Sequence, residues 1–260
     1  MDPICKLDLA ASVAFTNAFL QLLAAATSRD ALAALMEEVT RDLGFRYFAL
    51  VHHDDLHEDP EARVDIKKYP AAITDRIVNQ GFWRRDPVMR GCIFTDAAFI
   101  WSRLSGIIRI DRRDREALAF GASEGLNEGI TVPCAMLGHC LGSCTFAGMR
   151  RPEHAERFLG MTQLIGVFAF QAAKRIIGAH PTPATRPRLH PRPRDCVVLA
   201  GRGLSNKEIA RLLSLTPRTV DGYLTEARRL FQVHDRTELV VSAVLAGEIG
   251  LHEIARRQPE

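Results

Sequence analysis

The 260-residue chain lacks any run of 18 apolar residues, which excludes a membrane-spanning helix of ordinary length. Its opening MDPICKLDLAA has no basic segment followed by an apolar one, so no secretory signal is expected and the expected compartment is the cytoplasm. The six cysteines, at 5, 92, 134, 140, 144 and 196, form no C-x-x-C pair. His139, Cys140 and Cys144 are close in sequence, yet such cysteines read as small buried apolar groups in a reducing compartment. His52, His53 and His57 with their neighbouring acids read as a polar strand end and loop rather than a metal site. No P-loop, nucleophile elbow or metal-ligand spacing is present, so no enzyme, catalytic residue, metal or cofactor is expected.

Net charge is also small, at +3, but it is unevenly placed. Residues 186–260 carry 13 Lys+Arg against 9 Asp+Glu, or +4, while the rest carries 21 against 22, or −1. A basic C-terminal part beside a neutral body suits a nucleic-acid module attached to another domain, although a solvated basic face gives the same count. Hydrophobic content of 47% is ample for packed cores, and the length allows one large domain or two ordinary ones.

Residues 7–26, rich in Ala and Leu, read as a helix, and Ser28 caps a second one that Gly44 ends. RYFALVHHD and RVDIKKY read as two strands around the polar turn HEDPEA, and GITVPCAML and CLGSCTFAGMR as two more around Gly138. Pro70 opens a helix ending at Gly81, with Tyr69, Ile73 and Ile77 four apart on one face. Asp111 caps a helix through Ala122, and Glu153–Ile177 reads as a long helix with a stripe of Phe158, Met161, Leu164, Ile165 and Phe168. Strand pairs of hairpin type between helices predict an α+β fold, an α-β-α sandwich with an antiparallel sheet. A phosphoacceptor receiver would need alternating parallel strands and helices with an acidic pair after the first strand. Asp54–Asp55 instead sits in a polar turn.

The stretch Leu204–Phe231 is the most informative. Ser205 and Glu208 form a capping box, and Ile209, Ala210, Leu212 and Leu213 give the helix after it an apolar face. Thr216 then caps a second helix with Pro217 in its first position and a stripe of Val220, Leu224, Ala227 and Phe231. Spacing alone fits a helix-turn-helix or an ordinary helical hairpin. The run GLSNKEIARLLSLTPRTVDGYL, continuing to RRLFQVHDRTELV, resembles the DNA-binding domain of the LuxR family of bacterial transcription regulators. The resemblance implies a small all-α domain over 189–260 that binds a two-fold-related double-stranded DNA site as a homodimer, with RNA polymerase a further partner to consider. On the recognition helix, Arg218, Thr219, Gly222 and Thr225 are the candidates for base edges, with Arg228 beside them, and Lys207 and Arg229 for phosphates. Where the family opens this domain with a Thr–Glu capping box, this chain has His190 and Pro193, and Pro193 disfavours helical angles at Arg192. The first helix is therefore expected to start near Arg194. Asp235 and Glu238 form another box, opening a last helix through Leu239, Val240, Ala243, Val244 and Ile249 to about Leu251, which in the family pairs two subunits.

Residues 1–178 resemble the same family's sensor domain, which binds N-acyl-homoserine lactones between sheet and helices. The DPV run at Asp86 and Pro87, Trp101, and GLNEGITVP with Gly129 carry this likeness. It implies that Tyr69 hydrogen-bonds an acyl carbonyl, Asp86 accepts the ligand's amide N–H, and Trp101 walls the lactone ring. Gly129 and Thr145 match a pocket glycine and a polar group near the carbonyl. The chain departs at Ile73 and Ile77, which stand where the family has its lactone-binding Trp and a pocket Tyr. The expected ligand is an acyl-homoserine lactone or a related apolar amide, and a DNA binder that has lost its ligand is the alternative. Between the two parts, residues 179–188 belong to the proline-rich stretch GAHPTPATRPRLHPRPR. About 12 residues of it, extended at roughly 3.1 Å each, would span about 35–40 Å.

Overall fold

The computed structural model describes residues 9–53, 63–78, 85–135, 141–178 and 187–255. The linker at 179–186, Gly81, Trp83, the turns holding Asp54, Asp55 and His57, and Gly138 with His139 and Cys140 lie outside the described residues. So does the side chain of Ile77. Two separately packed units emerge, one within 9–178 and one within 187–255.

In the first unit, α1 (Leu9–Ala25) and α2 (Arg29–Asp42) precede β1 (Tyr47–His52) and β2 (Asp65–Lys68). Ser28 Oγ accepts from the Ala31 amide to start α2, and Gly44 at φ +80° lets the chain turn into β1. Then come α3 (Ala71–Val78), α4 (Pro87–Gly91), β3 (Phe99–Ile100), a 3₁₀ turn Trp101–Gly106 and α5 (Arg112–Ser123). β4 (Gly129–Cys134), β5 (Gly142–Ala147) and the long α6 (Ala155–Ile176) complete it. The five strands run β2-β1-β5-β4-β3 and every neighbouring pair is antiparallel, so the hairpin pattern gives the antiparallel sheet expected.

Because side chains alternate along a strand, the sheet has two distinct faces. Phe48, Leu50, Ile130, Val132, Cys144 and Phe146 pack against α1, α2 and α6 in one large core. Ala49, Val51, Thr131, Ser143, Thr145 and Ala147 occupy the alternate positions and look toward α3, α4 and α5. The predicted stripe on α6 needs correction. Phe158 and Ile165 are buried, but Leu164 is 48% and Phe168 43% exposed. The helix turns its small residues to the sheet: a Cβ at Gly166 would stand 2.8 Å from Val132, so close approach selects that face over the bulkier one.

The second unit holds α7 (Pro191–Gly201), α8 (Asn206–Leu213), α9 (Pro217–Phe231), α10 (Arg236–Leu245) and α11 (Leu251–Ile254). Three expectations fail here. α7 starts at Pro191, not near Arg194, because the first-turn amides have no intrahelical acceptor and prolines there forfeit nothing. Leu212 is 63% exposed, leaving Ile209 and Ala210 as the buried face of α8. The last helix stops at Leu245 instead of Leu251, since Gly247 at φ +77° closes it and the Glu248 amide donates back to Ala243 O at 3.0 Å. Ile249 still reaches the core, 1% exposed, from the loop that follows.

Candidate functional site

A cavity of about 850 Å³ lies on the second face of the sheet. Its placement begins with α4. Asp86 Oδ1 accepts the amides of Val88 at 2.9 Å and Met89 at 3.0 Å, and Pro87 sits in the first turn. The D-P-V run is thus a helix start in its own right. α4 is tied to α5 by Arg90 Nη1 to Asp114 Oδ1 at 2.7 Å, and Asp114 in turn closes the capping box with Asp111. Asp86 is half-buried, its accessible surface lining the cavity. Burial pushes its carboxyl up, while the Met89 and Val88 amides hold it down.

Tyr69 follows β2 and also lines the cavity. Burial drives its phenol well above the usual range, and the nearby Asp86 carboxylate adds to the effect. Trp101 opens the 3₁₀ turn, where Glu128 Oε1 accepts from the Ser102 amide at 3.2 Å and the Gly129 amide at 3.0 Å. Its indole Nε1 donates to Thr131 Oγ1 at 2.9 Å, and Thr131 and Thr145 share a 3.0 Å hydroxyl contact. Gly129 explains how the ring fits: a Cβ there would come within 2.7 Å of Trp101 and 2.9 Å of the Phe146 carbonyl.

Of the sequence-predicted residues, Tyr69, Ile73, Asp86, Trp101 and Thr145 come together on the cavity wall. Gly129 does not line it but stands behind Trp101. Ile73, 6% exposed, packs with Leu126, Ala147, Tyr69, Trp101 and Phe120 and offers no donor. Sequence reasoning missed Thr131, which period-two alternation from Gly129 would have placed on this face. It also missed Leu126, Phe120, and Arg76, whose guanidinium lies 4.4 Å from the Phe120 ring centre.

In the second unit, Ser205 and Glu208 form the capping box on α8, and Thr216 Oγ1 accepts the Thr219 amide at 3.1 Å on α9. Ser214 closes α8 in the left-handed region at φ 55°, and the Leu215 amide returns to Ala210 O at 2.8 Å, giving the tight turn. Val220, Leu224 and Ala227 are buried, so the opposite side of α9 is presented outward. Lys207, Arg218, Gly222 and Arg229 are exposed, and Thr219, Thr225 and Arg228 are half-buried. Arg228 Nη2 donates to Thr225 Oγ1 at 2.9 Å, which occupies both side chains with each other. Gly222 has nothing within 4 Å of an added Cβ, so no packing inside the unit demands a glycine there.

Among the described residues, no cluster of three potential metal ligands occurs. The thiols of Cys92 and Cys144 are pushed up by burial, and that of Cys134 to about 12 for the same reason, so they remain protonated and unreactive.

The family model of the autoinducer binding domain matches residues 28–176, and that of bacterial regulatory proteins, luxR family, matches residues 188–243. The transcriptional activator protein BjaR1 of Bradyrhizobium diazoefficiens is 26% identical over 178 residues, 68% of this chain and 72% of that protein. The transcriptional activator protein AnoR of Acinetobacter nosocomialis is 21% identical over 224 residues, 85% of this chain and 92% of its own. Escherichia coli SdiA has the same fold, with a TM-score of 0.59 at 17% identity over 94% of this chain and 99% of that one. SdiA in complex with octanoyl-rac-glycerol gives a TM-score of 0.58 at 18% identity, over 90% and 95%.

Proposed function

The chain belongs to the luxR family of bacterial regulatory proteins with an autoinducer-binding domain, and from that premise we propose that it binds an N-acyl amide related to the N-acyl-homoserine lactones and regulates transcription from a two-fold-related DNA site as a dimer. The observation that carries the reading is the cavity itself. Apolar walls from Ile73, Leu126 and Trp101 meet the Asp86 carboxylate, the Tyr69 phenol and the Thr145 hydroxyl. That is the wall an acyl amide needs, with an acceptor for its N–H and donors for its carbonyl. Only Oδ1 of Asp86 has a hydrogen-bond partner among the described residues, which leaves Oδ2 for the amide.

The headgroup is where this site differs. Ile73 supplies no N–H, and the Trp101 indole N–H is given to Thr131, so among the described residues a buried lactone carbonyl would find no indole donor. An unmet buried acceptor costs about 1–3 kcal/mol, roughly ten- to a hundredfold in affinity. SdiA with octanoyl-rac-glycerol supports the view that this fold takes an acyl chain on a headgroup other than a lactone. The test is thermal melting of the purified protein against a panel of acyl-homoserine lactones, repeated with Ile73→Trp. The expected result is a small shift for the unmodified protein and a larger one for the variant. A gain of many degrees at nanomolar ligand in the unmodified protein, with nothing added by the variant, sinks the argument about the missing donor.

A further inference from the structure

The cavity is apolar at its Trp101 end but not along its whole length. Following β1 away from Tyr47, Ala49 lies opposite Thr145 and Lys67, and Val51 opposite Ser143 and Asp65. One step further, His52 pairs through its backbone with Val64, which puts His53 and Arg63 level with each other at the far end of the same face. Alternation turns Arg63, Asp65, Lys67 and Tyr69 to the cavity together, and all four line it.

Arg63 is the unusual member. Its Nε and Nη1 are buried and have no hydrogen-bond partner among the described residues, although a guanidinium is charged at every physiological pH. Lys67 is held by Asp65, which neutralises that pair and leaves the Arg63 charge uncompensated by it. His53 Nε2 meets Ser143 Oγ at 2.9 Å, while its buried Nδ1 has no partner. When the serine hydroxyl turns to Nε2, the tautomer with a proton on Nδ1 leaves one more unmet donor in a residue of the cavity wall. Burial keeps this imidazole neutral near pH 7. A half-buried guanidinium with unmet N–H groups is costly to keep and selective for an anion with oxygen acceptors.

We propose that Arg63, with His53 and Ser143, forms a second recognition point for the ligand, which takes an acyl chain ending in a carboxylate rather than in a methyl group. This rests on the reading of the cavity as an acyl-amide site. With the amide at Asp86 and Tyr69 and the headgroup by Trp101, the chain runs along β1 toward Arg63. From the level of Thr145 to that of His53 is four strand residues, about 13 Å, which suits a medium-length chain.

The experiment uses the full chain and matched N-acyl-homoserine lactones of six to twelve acyl carbons, ending either in methyl or in carboxylate. Titration calorimetry should give at least tenfold tighter binding for the best carboxylate-ended chain than for its methyl-ended partner. Arg63→Met should remove that preference, lowering affinity for the carboxylate-ended probe tenfold or more and leaving the methyl-ended one equal or better. Arg63→Lys should restore part of it. Methyl-ended chains binding as well as carboxylate-ended ones overturn the inference and leave the acyl-amide reading intact. Binding of neither series, by the unmodified protein or by Ile73→Trp, overturns both. Should Arg63→Met fail to fold by its unliganded melt, the preference of the unmodified protein between the two probes decides alone.

Discussion

His53 shows how much a single buried side chain can impose. Its imidazole titrates at about 4 rather than 6.5, chiefly because burial penalises the cation, with His52 adding to it. The unfolded chain therefore binds more protons than the folded one between those two values. The stability tied to neutral His53 is full above pH 6.5 and is lost as pH falls toward 4. Asp86, whose carboxyl is raised, acts with the opposite sign: its share is present at low pH and lost as pH rises through its folded value. The two are separable by comparison. His53→Asn should melt with a smaller drop between pH 7 and pH 5 than the unmodified protein. An equal drop in both would mean that other groups carry the acid sensitivity. Neither residue announces this in the sequence, where His52–His53 reads only as a polar strand end. The hydrogen-bond partner of the desolvated His53, Ser143, is ninety residues away.

At the scale of an element, α9 joins two requirements in one helix. Thr216, Pro217 and the Val220–Leu224–Ala227 stripe are interactions within a few residues, and the sequence displays all of them. The outward side is defined by exclusion from that stripe, and Gly222 lies on it with open space around it. Glycine in a helix interior costs about 1 kcal/mol relative to alanine, so packing inside the unit favours its replacement. Gly222→Ala should raise the melting temperature of this unit by about 4–8 °C while weakening binding to operator DNA. A stabilised variant with unchanged DNA affinity would remove Gly222 from the groove contact. α7 and α6 mark where element-level reading failed. Proline restrictions apply inside helices and hardly at all in a first turn, and α7 begins on two of them. α6 hides its small residues because a close partner is worth more than a large side chain, a choice that only the sheet beneath it can make.

Across the whole molecule, the exposed apolar pairs are the features that a single chain leaves without a role. On α10, Val241 and Leu245 stand four apart at 51% and 52% exposure, one patch on one face. They suit the subunit contact expected of this helix. Val241→Glu with Leu245→Glu should leave the fold intact, since both are exposed, but should shift sedimentation to monomer. Footprinting should then show loss of two half-sites about one helical turn apart. A double variant that remains dimeric would place the contact elsewhere.

What the amino-acid sequence determined by itself is local: the caps at Ser28, Asp111, Ser205, Thr216 and Asp235, the hairpin strands, and the buried stripe of α9. Each depends on residues within one or two turns or on strict alternation, so its physics is written in the spacing. Tertiary structure decided what lies across the cavity. It gave the Trp101 donor to Thr131, set Gly129 behind the ring, and brought Arg63 level with His53 on one sheet face. Those pairings join residues ten to thirty positions apart. Strand register sets them, and no spacing along the chain records which strand lies beside which.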